Sequence, residues 1–272
     1  MAIRELETPT THPDRPAFER DGYVVLPGAL APEEVDRLTQ AVGRVYARER
    51  GSDGRDPLHL LAFCGREAPF IELLDHPFTL PLVVDVLGPN IFMHHCHLDV
   101  HPHESPETAR PWMWHQDGGV VNRDLETTPR PRLSVKLAYF LTDVSEPGRG
   151  NFVVLPGSHR SNAIERPADE DNDLPGAVPI LAGPGDAVLF DRRLWHMRSP
   201  NASDMTRKAL FYAYTYRWIR ARDDLQVRAE LAHLITPVRA QLLGAGTEAI
   251  DFWMPDHVDL PVRGAVAGRT DA

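Results

Sequence analysis

The chain has 272 residues, 42% hydrophobic and 25% charged, which supports a sizeable buried core and excludes disorder as the main state. A formal net charge of −10, with no basic stripe, excludes a nucleic-acid footprint, because phosphate binding needs clustered Lys and Arg. No apolar run approaches the roughly 18 residues that span a bilayer, and the N-terminus lacks the apolar segment of a secretory signal. A cytoplasmic protein with no membrane partner is expected. Cys64 and Cys96 have no CxxC spacing and read as buried free thiols.

Residues 1–16, broken by proline, read as a flexible leader. Tyr23–Leu26 between Gly22 and Pro27 is a short strand. Pro32 then opens a helix of about four turns, with Glu33 and Glu34 in the first turn and Val35, Leu38, Val42 and Val45 at helical spacing. Residues 81–87 form a second helix stopped by Gly88 and Pro89. The period then changes to alternation, with strands expected over 91–100, 133–142, 151–155, 187–190 and 209–218. The excursion 160–178, with Asp169, Glu170, Asp171 and Asp173, is a solvated loop or a lid. Val227, Leu231, Leu234, Val238 and Leu242 make a helical stripe interrupted by Pro237. Residues 17–262 read as one domain, followed by a frayed tail over 263–272.

Thirteen histidines are many for this length, and His94, His95, His97, His101 and His103 cluster ahead of His115. In a strand, His-x-Asp places both side chains on one face. With a second histidine from a neighbouring strand it forms the 2-His-1-carboxylate triad that leaves open positions on non-haem Fe(II). The pattern occurs at His12/Asp14, His97/Asp99, His115/Asp117 and His257/Asp259, where composition alone predicts about one. Only context separates the four. His115 and Asp117 sit in PWMWHQDGG, where Trp112 and Trp114 could wall a site and Gly118 and Gly119 release the backbone. His196 in GDAVLFDRRLWHMRSPN, at the end of an apolar strand, is the candidate third ligand, and His159 in LPGSHR competes. Eleven residues later Arg207 opens the next alternating strand, so a hairpin would bring its planar fork beside the metal to hold a carboxylate. A surface charge is the alternative.

The segments FERDGYVVLPGALAPEEVDRL, GPNI, WHQDGG, LTDVSEPGRGNFVVLPGSHR and GDAVLFDRRLWHMRSPNASDMTRKAL, in this order and spacing, resemble the phytanoyl-CoA dioxygenase family of Fe(II)/2-oxoglutarate oxygenases. The resemblance implies a mainly β double-stranded β-helix, or jelly roll, with flanking helices. It implies iron on His115, Asp117 and His196, 2-oxoglutarate on Arg207, and His159 in a structural turn. Alignment on GPNI places His97 where the family touches 2-oxoglutarate, with a satisfied core histidine as the alternative. Alternation leaves Ser134, Lys136 and Ala138 on one face, so Lys136 reaches cosubstrate or substrate if that face lines the barrel. Arg198 departs from the family, many members having a small Ser there, and Ser199 is the residue that could take over. The activity implied is hydroxylation of a small-molecule metabolite by dioxygen, with 2-oxoglutarate converted to succinate and carbon dioxide. Asp117 favours hydroxylation over halogenation. A metal cupin dioxygenase or binding protein that does not use 2-oxoglutarate is the alternative, and the substrate and oligomeric state are not legible.

Overall fold

The computed structural model describes residues 11–51, 56–105, 107, 112–164, 174–246, 252–255 and 259–267. Helix α1 (Arg15–Asp21) carries Pro16 in its first turn, and Gly22 closes it in a left-handed conformation. The irregular leader expected over 1–16 therefore gives way to helix at Arg15. Strand β1 (Tyr23–Leu26) and helix α2 (Pro32–Arg50) stand where the sequence places them. At 19 residues α2 is longer than expected, burying Val35, Leu38, Val42 and Val45. Strand β2 (Leu58–Leu61), too short to announce itself, precedes helices α3 (Ala68–Glu72) and α4 (Leu80–Leu87).

The alternating segments become β3 (Ile91–His101), β4 (Trp112–His115), β5 (Ser134–Phe140), β6 (Phe152–Val154), β7 (Val178–Pro179), β8 (Ala187–Asp191), β9 (His196–Arg198) and β10 (Arg207–Tyr216). A short helix, α5 (Val120–Asp124), follows β4, and α6 (Pro237–Leu242) and α7 (Pro261–Ala267) close the described chain. The first residues of the expected frayed tail are thus helical. Residues 165–173, which carry the acidic run of the expected lid or loop, lie outside the described residues.

The strands form two antiparallel sheets, one ordered β1-β8-β5-β10-β3-β2 and the other β4-β9-β6-β7. This is the jelly roll, with helices covering the outside of the larger sheet. Both faces of that sheet are buried, and side-chain alternation divides them. Leu98, Val135, Leu137, Tyr139, Leu210 and Tyr212 pack outward in one core with residues of α2, α3 and α4. Ala138, Phe140, Val188, Phe190, Ala209 and Phe211 pack inward in a second core with Phe152 and Val154 of the smaller sheet. Polar residues sharing that inward face surround the cavity described next. Cys64 and Cys96 are free and buried.

Two expectations about connectivity need correction. The strand that was to end at His196 stops at Asp191, and His196 opens β9 in the other sheet. Buried Asp191 is held by Arg193 and Arg132, which anchors the end of β8 where the chain crosses between sheets. Arg207 accordingly does not join His196 in a hairpin, because β10 pairs with β3 and β5. The two residues line one cavity between the sheets.

Candidate metal centre

His115 and His196 are register partners across β4 and β9, so the pairing of two short strands sets the rings side by side, with centroids 4.2 Å apart. Asp117 follows in the turn after β4. The three residues offer ligand atoms that all lie within 4.8 Å of one another. Carbonyl acceptors orient both rings. His115 Nδ1 meets the Met113 carbonyl at 2.9 Å and His196 Nδ1 the Leu194 carbonyl at 2.8 Å. Each Nδ1 is then the donor, and Nε2 is the nitrogen with a lone pair for a metal. Burial lowers the pKa of His196 to about 3, keeping it neutral and ready to coordinate. Two imidazoles and a carboxylate are the donor set that non-haem Fe(II) takes.

Asp117 is held in place from several directions. Its backbone carbonyl accepts from Asn122 Nδ2 at 2.9 Å. Its Oδ2 lies 2.6 Å from Lys136 Nζ. Burial opposes ionisation of this carboxyl, but the Lys136 ammonium prevails and holds it well below the ordinary range. Gly118 follows with φ +94°, a backbone conformation that demands glycine. Lys136 thus points inward, as one reading of its strand required, and meets the carboxylate of the triad.

The triad lines a cavity of about 320 Å³, shared with Lys136, Phe152, Phe190, Met197, Arg198, Arg207 and Phe211 and with a polar wall of His59, His95, His97, Asp99 and Arg222. Arg207 is 1% exposed, and neither its Nε nor its Nη1 has a hydrogen-bond partner. Its nearest carboxylate is Asp99, at 3.9 Å from Nη1. Burial lowers its pKa, yet only to about 10, so the guanidinium stays charged at neutral pH. A charged fork with unfilled donors, walled by Phe140 and Phe211, is built to receive a carboxylate.

The remaining candidates separate. His97 lines the cavity, stacks on Phe211 with centroids 4.3 Å apart and meets His95 at 3.1 Å. Arg198 also lines it, clamped by Glu104 at 2.7 and 3.1 Å. Ser199 does not line this cavity, because its N–H is tied to the Asn151 carbonyl just past β9 and its hydroxyl is buried without a partner. His159 packs over Gly22, where a Cβ would lie 2.4 Å from its Nδ1, and takes no part in the site. Trp114 is likewise away from the cavity. Sequence reading missed Asn122, whose position one turn after Asp117 carries no distinctive pattern. It also undervalued Asp99, although the His97/Asp99 pair was visible.

The pattern of the phytanoyl-CoA dioxygenase family matches residues 18–209. The chain belongs to this family. Among family relatives, an ectoine dioxygenase from Nocardia farcinica is 25% identical over 243 residues, covering 72% of this chain and 75% of that protein. The jelly roll superposes on HygX from Streptomyces hygroscopicus, solved with nickel and 2-oxoglutarate bound, with a TM-score of 0.66 and 17% identity over 82% of this chain and 94% of that one. It also superposes on EctD from S. alaskensis with 2-oxoglutarate and 5-hydroxyectoine, with a TM-score of 0.62 and 21% identity over 81% and 86% of the two chains. No helix among the described residues is long and apolar enough to cross a membrane.

Proposed function

We propose that this chain is an Fe(II)- and 2-oxoglutarate-dependent dioxygenase that hydroxylates a small-molecule metabolite, with His115, Asp117 and His196 as the iron ligands. The observation that carries the cosubstrate assignment is Arg207, a fully buried guanidinium with two unfilled donors in the same cavity as the triad. When bound, iron and 2-oxoglutarate supply the oxidative decarboxylation that activates dioxygen and releases succinate and carbon dioxide. The residues of this chain position and insulate that chemistry. Arg207 would hold the carboxylate far from the metal through charge-assisted hydrogen bonds from its guanidinium. Lys136 fixes one oxygen of Asp117 and balances its charge. Phe152 and Phe190, with rings 5.2 and 5.1 Å from His196, keep water from the protein side of the metal.

A volume of about 320 Å³ is at the small end of ligand pockets, which favours a compact reacting group beside the cosubstrate. The test is anaerobic binding of Fe(II) and 2-oxoglutarate, followed by a screen of small metabolites for stimulated succinate release. His115→Ala, folded by circular dichroism, should show no turnover. Turnover retained in that variant would remove iron on this triad from the mechanism, and product formation without succinate would favour a metal dioxygenase that does not use 2-oxoglutarate.

A further inference from the structure

Facing the triad from the larger sheet is a second set of donor groups with no part in the chemistry above. His97, Asp99 and His101 alternate along β3 and share its cavity face, and His59 on β2 is the register partner of Asp99. His59, His97 and Asp99 each offer a ligand atom within 4.8 Å of the other two. Apart from the triad, no such group occurs among the described residues.

Hydrogen bonding sets the direction in which His97 presents its lone pair. Burial holds His95 and His97 below the ordinary histidine range, so both rings are neutral. The Asp223 carboxylate accepts from His95 Nδ1 at 2.9 Å. His95 Nε2 is then an acceptor, and it takes the Nδ1 proton of His97 at 3.1 Å. This assignment leaves His97 Nε2 without a proton, 3.9 Å from Asp99 Oδ2. His101 Nε2 is buried and faces the same oxygen at 3.8 Å. The His97 lone pair cannot bond to a carboxylate, and a cation bound between it and Asp99 would satisfy both.

We propose that His59, His97 and Asp99 hold a second divalent transition-metal ion, with His101 in reach as a fourth donor. Imidazole-rich donors with one carboxylate suit zinc, iron or cobalt better than magnesium or calcium, which prefer all-oxygen shells. Binding opens the hydrogen bond between His59 Nδ1 and Asp99 Oδ1, 2.7 Å in length. Arg207, 3.9 Å from Asp99, repels the incoming ion, so this site is weaker than the triad.

Cobalt(II) is a suitable probe, followed by equilibrium dialysis with metal analysis and by its visible absorption. The parent chain should take up about two equivalents, and a His115→Ala/His196→Ala variant should keep about one. Adding His97→Ala to that variant should abolish the remaining equivalent. His59→Ala, at the accessible edge of the group, avoids disturbing the core and should weaken the second equivalent by about tenfold or more. A single equivalent in the parent, or a second equivalent indifferent to both His59→Ala and His97→Ala, would overturn the proposal.

Discussion

Arg207 concentrates the electrostatic argument in one side chain. Its charge survives burial because Asp99 stands 3.9 Å away, but that distance is too long for a hydrogen bond. Arg207→Ala would leave a bound dicarboxylate with a desolvated, unpaired end, a loss of about 3 to 5 kcal/mol. Affinity for 2-oxoglutarate should fall by roughly two to three orders of magnitude while metal affinity is nearly unchanged. Arg207→Lys should recover only part of it, because the charge remains and the fork is lost. Unchanged 2-oxoglutarate binding in calorimetry would remove the main support for the cosubstrate assignment. Lys136 invites a complementary experiment, since its ammonium is the counter-charge of Asp117 at 2.6 Å. Lys136→Met should destabilise the metal-free protein by about 3 kcal/mol, as expected when one member of a buried pair is removed. Saturating manganese should restore much of that loss, because the ion replaces the missing charge. Equal losses with and without metal in thermal unfolding would count against this role.

At the scale of elements, the two sheets meet through the turn between β8 and β9. Asp191 at the end of β8 is fully buried and receives Arg193 Nε at 2.8 Å, Arg193 Nη2 at 2.6 Å and Arg132 Nε at 2.9 Å. Arg132 continues to Glu19 of α1 at 2.7 and 2.9 Å, so one network ties a helix to the start of the crossover. Asp191→Ala would leave the buried Arg193 guanidinium without its carboxylate and Arg132 with Glu19 alone. The expected loss of stability is about 3 to 5 kcal/mol, with weaker metal binding as His196 loses its fixed approach. Chemical denaturation and a metal titration check both, and a variant of parental stability would show the network to be dispensable.

The whole molecule carries a pH dependence set by its buried histidines. Burial lowers His94 to about 4 and depresses His95, His97, His101 and His159 as well. A histidine with a folded pKa below its unfolded value of about 6.5 binds its proton more readily when unfolded. Its stabilising contribution is complete above that pH and is lost as pH falls toward the folded pKa. Each such group removes up to about 1.4 kcal/mol per pH unit in that window. The depressed carboxyls of Asp99, Asp191 and Asp223 act in the same direction, but only once pH drops below about 4. The melting temperature should therefore be flat from pH 8 to 7 and fall steeply between pH 6.5 and 5. A flat profile through pH 5 would contradict the buried, neutral state of these rings.

Much of the architecture was legible because local pattern and burial agreed. Period-two alternation located β3, β5, β6, β8 and β10 to within a few residues, and Pro32 with its apolar stripe located α2. His115, Asp117, His196 and Arg207 could be picked out because motif, order and spacing carried the resemblance. Strands of three or four residues such as β2 and β9 are too short for periodicity to register. Hence the sequence alone suggested a hairpin where the chain crosses between sheets. What tertiary structure decided is every relation that depends on strands distant in sequence: His115 opposite His196, Lys136 against Asp117, and His59 opposite Asp99. A side chain's face follows from local alternation, but the charge waiting on the other side of the barrel is set by which strands pair. That pairing is a property of the folded whole.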